Sequence, residues 1–372
     1  MGLNMFSSND TISVRQLRLL LILDLFSTTS LIMPRIATES AGRDGWISVI
    51  IGTLIAFIYL SLIMHVVYKF PKETLIEYSK KLLGKIISFI IGVIFIVKLI
   101  LLTSFGVRFF GELIKETLLN DTPIEIIIVS MLLVVTYVAR KGFECRARIV
   151  EILIWIIFIP IILVLLFALP NVNFDQILPV LVNEPIDIFY GAFAISITYS
   201  AIILLLIAIP YTNKPQKTKR SVNFSLVFVG LFNLVLCLIT IGLFGEEGTR
   251  RQIWPVMNIM QVTKLPGAFI ERQDALMIAF WIMSFFAVLN SYVFFISVLT
   301  QRLFRLKEQN FLVLPYLPII YLISLIPDNV VQVYEWTKSI MMYLGVFFLV
   351  FLPLIFIILS RIRKVGEHNA VD

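Results

Sequence analysis

Two clusters of hydroxyl side chains lie inside otherwise apolar stretches of the sequence, and their chemistry suits the binding of a small polar ligand. The clusters contain Ser27, Thr28, Thr29 and Ser30, and then Ser196, Thr198, Tyr199 and Ser200. Within a membrane, such groups also hydrogen-bond carbonyls of their own helix or hold neighbouring helices together. Either cluster alone fits this local role as well as it fits a ligand site.

Two ionisable residues, Asp24 and Lys98, also lie in the middle of apolar stretches. A charge in hydrocarbon costs about 2.5 to 3.5 kcal/mol on the lenient insertion scale, so it needs a partner or a function. At a rise of about 1.5 Å per residue, both side chains reach similar depth if their helices begin on the same side. We predict a buried ion pair between Asp24 and Lys98. The alternative is a snorkelling Lys98 and an Asp24 that is protonated or faces water.

The residues that enzymes and metal sites use are sparse and scattered. The histidines are His65 and His368, far apart in the chain, and Cys145 and Cys237 have neither disulfide nor metal spacing. The sequence contains no Walker loop and no glycine-rich dinucleotide turn. We therefore expect no enzyme activity, no metal and no cofactor.

The composition is typical of a protein that lies in a bilayer. Of 372 residues, 59% are hydrophobic and 15% are charged, and the mean hydropathy is +0.96. A soluble domain is less apolar and more highly charged. The net charge of +7 does not indicate a nucleic acid partner, because the Lys and Arg residues stand in short segments between apolar runs.

Apolar runs separated by charged or Pro/Gly-rich breaks predict an all-α integral membrane protein with ten transmembrane helices. The predicted spans are about 14–33, 46–68, 86–107, 123–139, 149–169, 187–211, 222–243, 274–300, 311–327 and 336–360. The first is expected to be a retained helix and not a signal peptide, because no small-residue cleavage site follows it. Lys and Arg are enriched in the segments on the side of the termini, so both termini are predicted to be cytoplasmic.

Two connecting segments carry further expectations. Arg35 and residues 41–46 are expected to form the turn between spans one and two, where Pro and Gly end and start helices. The segment 244–273 is predicted to be external, to contain short helices, and to act as a lid or a partner surface.

Ten spans divide into two repeats of five, about 14–169 and 187–360, which must be inverted relative to each other. In transporters built this way, the first helix of each repeat is broken at mid-membrane, and the freed backbone groups bind ligand. The two hydroxyl clusters lie in spans one and six, at these corresponding places. The agreement favours a ligand site over local hydrogen bonding alone.

Several short motifs occur together along nearly the whole chain. They are the segments 12–17, 31–35, 41–48, 107–112, 122–123 and 270–276. In combination they resemble the B subunits of spore germinant receptors, the GerAB-type branch of the amino acid, polyamine and organocation transporter superfamily. The resemblance implies a ten-helix LeuT-like fold with a 5+5 inverted repeat, and a germinant-binding role in the inner membrane of the dormant spore. It also implies a complex with a membrane-embedded A subunit and a lipoprotein C subunit.

The sequence departs from that family at the first predicted break, where Ser27-Thr28-Thr29 stands in place of a Gly-containing segment. Glycine lets the backbone approach a carboxylate closely, whereas hydroxyl side chains narrow the pocket and add donors of their own. An L-amino acid is the first expectation for the ligand, because half-helix N-termini suit a carboxylate. A sugar or a nucleoside remains an alternative.

We expect a receptor that binds a small germinant between spans one, three, six and eight. The predicted lining comprises the eight residues of the two clusters, with Ser104 on span three and Ser284 and Phe285 on span eight. An alternative is a proton-coupled amino acid permease that uses Asp24 or Lys98 as the coupling group. A third possibility is a scaffold that stabilises its partners and binds nothing. The fold does not separate these functions.

Overall fold

The computed structural model describes residues 11–263 and 273–363, and the regular structure in these ranges is helical apart from an isolated bridge between Ile12 and Thr212. The helices are α1 Val14–Thr29, α2 Met33–Ala41, α3 Gly45–Lys69, α4 Leu75–Leu83, α5 Lys85–Thr117, α6 Ile124–Ala139, α7 Phe143–Ala168, α8 Pro185–Thr198, α9 Leu205–Ala208, α10 Thr218–Arg251, α11 Pro255–Val262, α12 Gln273–Phe304, α13 Val313–Ser324, α14 Val330–Ile340 and α15 Leu352–Ile362. Between α14 and α15, the segments Met341–Gly345 and Phe347–Phe351 are π-helical.

Local sequence signals explain where several helices begin and end. Ser13 caps α1 through a reciprocal pair of bonds with Gln16, in which each side chain accepts from the backbone N–H of the other residue at 3.1 and 2.8 Å. Gly84 and Gly142 join α4 to α5 and α6 to α7 with φ values of 87° and 91°. A residue with a Cβ rarely adopts such backbone angles, so glycine permits both sharp connections.

Span one is broken, as predicted. α1 ends at Thr29, and the chain passes through Ser30 to Ile32 before α2 begins at Met33. Pro34 has no N–H and cannot donate to the carbonyl four residues earlier, and it stands in the first turn of α2, where such a bond is not needed. The expectation that Arg35 lies in the turn before span two was wrong, because α2 continues to Ala41 and the chain reverses at Gly42, whose φ is 52°.

Span six is interrupted directly after its hydroxyl cluster begins. α8 ends at Thr198, the segment Tyr199–Leu204 is a 3₁₀-helix, and the short α9 and a second 3₁₀ turn, Ile209–Tyr211, follow. The tighter winding changes the hydrogen-bond register, so the two halves of this span do not form one regular helix. Both predicted breaks are therefore present, each next to its cluster of polar side chains.

Among the described residues, seven helical stretches are long and apolar enough to cross a membrane: Met33–Lys69, Lys85–Thr117, Phe143–Asn171, Pro185–Tyr211, Pro215–Arg251, Ile278–Phe304 and Val330–Ile362. The helix α1, with 16 residues, and the apolar stretches Ile124–Ala139 and Asn310–Ser324 are shorter. The chain is therefore a multi-pass membrane protein. The count of ten crossings, the side of the termini and the inverted relation of the repeats stay predictions.

The first half of span one lies at the centre of the bundle. α1 packs against α7, α10, α12 and the 3₁₀ segment of span six, while α2 and α3 pack against α8. Phe26 of α1 is fully buried, and its ring lies 4.7 Å from that of Trp281 and 4.8 Å from that of Phe158. The polar break in span one is thus fixed in place by aromatic packing one turn before it.

Two other boundaries differ from the sequence expectation. Helix α7 begins at Phe143, six residues before the predicted start of span five, so Cys145 and Arg146 belong to a helix and not to a basic loop. α10 continues to Arg251 through a non-helical Gly245, and the short helix α11 follows it. The rest of the predicted external segment, residues 264–272, lies outside the described residues, as does part of the motif at 270–276.

Candidate ligand-binding site

A cavity that we call the aromatic chamber lies beside the break in span one, between that break, α5, α12 and α14. It contains about 660 Å³ of empty space, part of which is open to the surroundings. Its lining is Ser27, Thr28, Leu31, Ile32, Leu102, Phe105, Gly106, Phe109, Phe285, Val288, Leu289, Tyr292, Tyr334, Thr337 and Met341. This lining contains no ionisable acid or base apart from its tyrosines, so the chamber suits the apolar part of a small ligand.

A second cavity, which we call the charged chamber, lies on the other side of the break, between α2, α8 and α14. It contains about 700 Å³ of empty space, also partly open. Its lining is Thr28, Ile32, Ile36, Glu39, Ser40, Ala194, Ile197, Thr198, Tyr334, Thr337, Lys338, Met341 and Met342. The two chambers share a wall formed by Thr28, Ile32, Tyr334, Thr337 and Met341.

Ser27 and Thr28 line the aromatic chamber, and their hydroxyl hydrogens are directed to carbonyl groups of the protein. Ser27 Oγ lies 2.6 Å from the carbonyls of both Leu23 and Ser284. Thr28 Oγ1 donates to the carbonyl of Asp24 at 3.0 Å or of Leu25 at 3.1 Å. Each oxygen therefore keeps acceptor lone pairs, while its hydrogen is donated to a backbone carbonyl.

Thr29, Ser30 and Tyr199 were predicted to line the site, and the structure instead joins them in a buried network around Asn233 of α10. Ser30 Oγ donates to Asn233 Oδ1 at 2.6 Å. Asn233 Nδ2 donates to Thr29 Oγ1 at 2.8 Å and to Tyr199 Oη at 3.2 Å. Tyr199 Oη also lies 3.0 Å from Thr53 Oγ1 of α3. One amide side chain thus connects the break in span one to the break in span six.

The remaining predicted residues divide between chamber walls and helix contacts. Thr198 lines the charged chamber, and Phe285 lines the aromatic chamber, where its ring centroid lies 3.8 Å from that of Phe110. Ser104 and Ser284 donate to carbonyls of their own helices. Ser196 donates to the Phe193 carbonyl and contacts Tyr59, and Ser200 contacts the sulfur of Met341. Ser104, Ser196, Ser200 and Ser284 line neither chamber.

Asp24 pairs with Arg146, and the predicted pair with Lys98 was wrong. Arg146 Nη2 lies 2.8 and 3.0 Å from the two carboxylate oxygens of Asp24, and Ser291 Oγ donates to the same carboxylate at 2.7 Å. All three side chains are buried, and they join α1, α7 and α12. Such pairing and hydrogen bonding offset the cost of removing two charges from water.

The position of Arg146 could have been found from the sequence. The buried positions of α7 begin at Phe143 and continue at Ala147, Val150 and Ile154, with helical spacing throughout. Extending span five backwards along this pattern places Arg146 inside the helix. Asn233 offered a similar signal, because it is an amide within the apolar run of span seven.

Lys98 lies apart from the Asp24 cluster. It is 1% exposed, and its Nζ lies 5.8 Å from the ring centroid of Phe95 and 5.5 Å from that of Phe348 in the π-helical segment. The ion pairs formed by the side chains of residues 11–259 and 278–363 do not include Lys98. Aromatic faces attract a cation, but they do not neutralise its charge. Lys98 is therefore a buried base without a counter-charge in this part of the chain.

Comparison with known sequences relates the chain to proteins of bacterial spores. Residues 11–333 match a family model described as "Spore germination protein". The chain is 27% identical to spore germination protein YndE of Bacillus subtilis (strain 168) over 98% of this chain and 100% of that protein. It is also 27% identical to spore germination protein KB of the same organism, with 95% of each chain covered.

Comparison with solved structures relates the fold to that of transporters. MhsT, solved in complex with L-phenylalanine, superposes with a TM-score of 0.65 at 14% identity, covering 89% of this chain and 88% of that chain. A Na⁺-coupled sialic acid symporter in an outward-open state superposes with a TM-score of 0.60 at 12% identity, covering 89% of this chain and 77% of that one. The likeness shows a LeuT-like transporter fold, as predicted.

Proposed function

This chain belongs to the spore germination protein family, and on that premise we propose that it is a membrane subunit that senses a small germinant. The germinant binds in the aromatic chamber, and the resulting change in shape passes to partner subunits that start germination. The observation that carries the proposal is a cavity at the break of a central helix, where eleven of the fifteen lining residues come from other helices. The protein acts by binding and not as an enzyme.

The chemistry of the aromatic chamber favours an L-amino acid with an apolar side chain. Phe105, Phe109 and Phe285 supply an apolar surface for that side chain. The first turn of α2 directs backbone N–H groups and the positive end of its helix dipole towards the break, which suits a carboxylate. The acceptor oxygens of Ser27 and Thr28 suit an ammonium group. A related fold, that of MhsT, was solved with L-phenylalanine.

Signalling requires that the germinant bind one conformation more tightly than the other. A ligand with equal affinity for two states shifts nothing, whereas a preference of about 5.5 kcal/mol takes a population from 1:99 to 99:1. The break in span one supports such a change, because the short segment between α1 and α2 can alter its backbone angles. The proposed recipients are the membrane-embedded A subunit and the lipoprotein C subunit, in the inner membrane of the spore, with both termini of this chain on the cytoplasmic side.

A proton-coupled amino acid permease is the second candidate, and buried Lys98 is the observation that favours it. A base with no counter-charge inside a membrane protein can bind and release a proton as the protein changes conformation. Uptake of labelled L-leucine by proteoliposomes that contain this chain alone, driven by a proton gradient and lost in Lys98→Met, supports the permease. The absence of uptake by a chain that binds L-leucine supports the receptor.

A thermal-shift screen of the purified protein against amino acids, nucleosides and sugars tests the receptor proposal. A ligand that binds only the folded protein raises its free energy of unfolding by mass action, by about 2.7 kcal/mol when the ligand concentration is a hundred times Kd. The melting temperature rises with it. Apolar L-amino acids are expected to raise it, and Thr28→Val is expected to reduce the rise. A matched Thr103→Val, which removes a buried hydroxyl bonded to its own helix and outside both chambers, should keep the rise. A chain that no compound stabilises, even with its partner subunits, contradicts the proposal.

A further inference from the structure

The charged chamber differs from the aromatic chamber in carrying one acidic and one basic side chain in its lining. Glu39 extends from α2, and Lys338 extends from α14. Thr28, Ser40, Thr198 and Thr337 add hydroxyl groups, and the rest of the lining is mainly apolar. A cavity with opposite charges on two walls and an apolar floor matches a small molecule that itself carries both charges.

Glu39 is held in place by two neighbours. Arg35 Nε donates to Glu39 Oε1 at 2.7 Å, and Tyr334 Oη donates to Glu39 Oε2 at 3.3 Å. The Arg35 guanidinium also lies 4.9 Å from the Tyr334 ring centroid, which fixes the three side chains together. A carboxylate accepts about four hydrogen bonds, so Glu39 retains acceptor capacity that a ligand ammonium can use.

Lys338 supplies the opposite charge. Its Nζ lies 5.9 Å from the Tyr334 ring centroid, so Tyr334 stands between the acid and the base. Within residues 11–259 and 278–363, no carboxylate lies within 4.0 Å of the Lys338 ammonium nitrogen. Lys338 is an exposed residue whose ammonium group is available to an anion in the chamber.

We propose that the charged chamber is a second binding site, separate from the aromatic chamber, and that it takes an α-amino acid as the zwitterion. The ligand ammonium pairs with Glu39 and the ligand carboxylate pairs with Lys338. Glu39 lies two helical turns beyond Ile32, about 10 Å along α2, and it lines the charged chamber but not the aromatic chamber. The shared wall makes the charged chamber a place where an amino acid is selected before it reaches the aromatic chamber.

This second site goes beyond the proposed germinant site in the aromatic chamber, and the experiments below can refute either site without refuting the other. Equilibrium binding of labelled L-leucine to the full-length chain in lipid nanodiscs measures how many molecules bind to each chain and with what affinity. We expect one L-leucine in each chamber of the wild-type protein. Glu39→Gln and Lys338→Gln should each weaken one of the two sites by about tenfold or more, which corresponds to one charge-assisted hydrogen bond, and leave the other unchanged.

Two variants fill the aromatic chamber and separate the sites. A Cβ at Gly106 would lie 3.1 Å from Leu289 Cδ2, so Gly106→Leu must extend into the chamber, and Leu289→Phe fills it from α12 if the first variant does not fold. Either should remove the site that Glu39→Gln and Lys338→Gln leave intact. If filling the aromatic chamber removes no bound L-leucine, the proposed sensing site is wrong and the charged chamber stands.

Leucine analogues that carry only one of the two charges identify which side chain binds the ammonium group and which binds the carboxylate. 3-Methylbutylamine should compete with L-leucine at the charged chamber in Lys338→Gln and not in Glu39→Gln, whereas 4-methylpentanoate should show the reverse. Matched controls are Lys141→Gln, whose Nζ lies 5.3 Å from the Tyr137 ring, and Glu144→Gln, which pairs with Arg148 at spacing i, i+4. Both lie outside the chambers, so they should change nothing. Bound L-leucine that neither Glu39→Gln nor Lys338→Gln weakens, or equal effects of the two variants on both analogues, overturns the proposal.

Discussion

Replacing Asn233 with leucine tests whether one side chain ties the two helix breaks together. The substitution keeps the number and branching of the side-chain heavy atoms and removes the hydrogen bonds to Thr29, Ser30 and Tyr199. Thr29 still donates to a carbonyl of its own helix at 2.9 Å, and Tyr199 keeps its 3.0 Å contact with α3. Ser30 is left with a 3.4 Å contact to Thr29, so its buried hydroxyl loses most.

These contacts set the expected magnitude. A lost hydrogen bond costs about 0.5 to 1.5 kcal/mol, and a buried group left without a partner costs about 1 to 3 kcal/mol. Interhelical hydrogen bonds in membranes average nearer 0.6 kcal/mol. We therefore expect Asn233→Leu to reduce the free energy of unfolding by about 2 to 4 kcal/mol. Adding Ser30→Ala removes the stranded hydroxyl, so the double variant should recover about 1 kcal/mol relative to the sum of the singles.

Reversible denaturation in detergent measures these free energies, and the thermal shift with L-leucine measures the effect on binding. Asn233→Leu should also reduce the L-leucine shift, because both breaks border the chambers. Asn290→Leu is the matched control, since Asn290 is also buried but donates to the Val135 carbonyl away from either break. It should leave the L-leucine shift unchanged. The network is refuted if the losses in free energy of unfolding from Asn233→Leu and Ser30→Ala add to within about 0.5 kcal/mol.

Two further predictions concern the buried charges. Asp24→Asn and Arg146→Met should each reduce the free energy of unfolding by about 3 to 5 kcal/mol, because each leaves one charge buried without its partner. The double variant should lose less than either single variant. Losses that add would contradict the pairing. Lys98→Met should leave the melting temperature unchanged or raise it, because it removes a buried charge that costs about 2.5 to 3.5 kcal/mol. Its effect on stability should add to that of Asp24→Asn. Non-additive effects would instead support a contact between Asp24 and Lys98.

The sequence was sufficient to predict where the chain is broken, because the break signals are local. The hydroxyl clusters and the spacing of apolar runs act within a few residues of the feature they produce, and the division into two repeats indicated which spans are broken. The membrane class followed from composition for the same reason. Helix ends were less predictable: α7 begins at Phe143 among charged residues, and one of these, Arg146, is buried because it pairs with Asp24.

The partners of the polar side chains could not be predicted, because they depend on which distant helices meet. Thr29, Ser30 and Tyr199 were recognised as important, but their role as a network requires Asn233, which lies about 200 residues beyond the first break. Asp24 was recognised as needing a counter-charge, and depth along the helix suggested Lys98. The choice of Arg146 depends on α7 lying beside α1, which helix spacing does not determine.

The measurement that tests the central claim most directly is the germination response of spores that carry Phe285→Ala in this chain. Phe285 lines the aromatic chamber, so its removal should raise the concentration of apolar L-amino acid that gives a half-maximal response by about tenfold or more, with the maximal response retained. Phe189→Ala, at an exposed phenylalanine outside both chambers, is the control for protein level and should not change that concentration. A reduced maximum with an unchanged half-maximal concentration in Phe285→Ala would contradict a germinant site in the aromatic chamber.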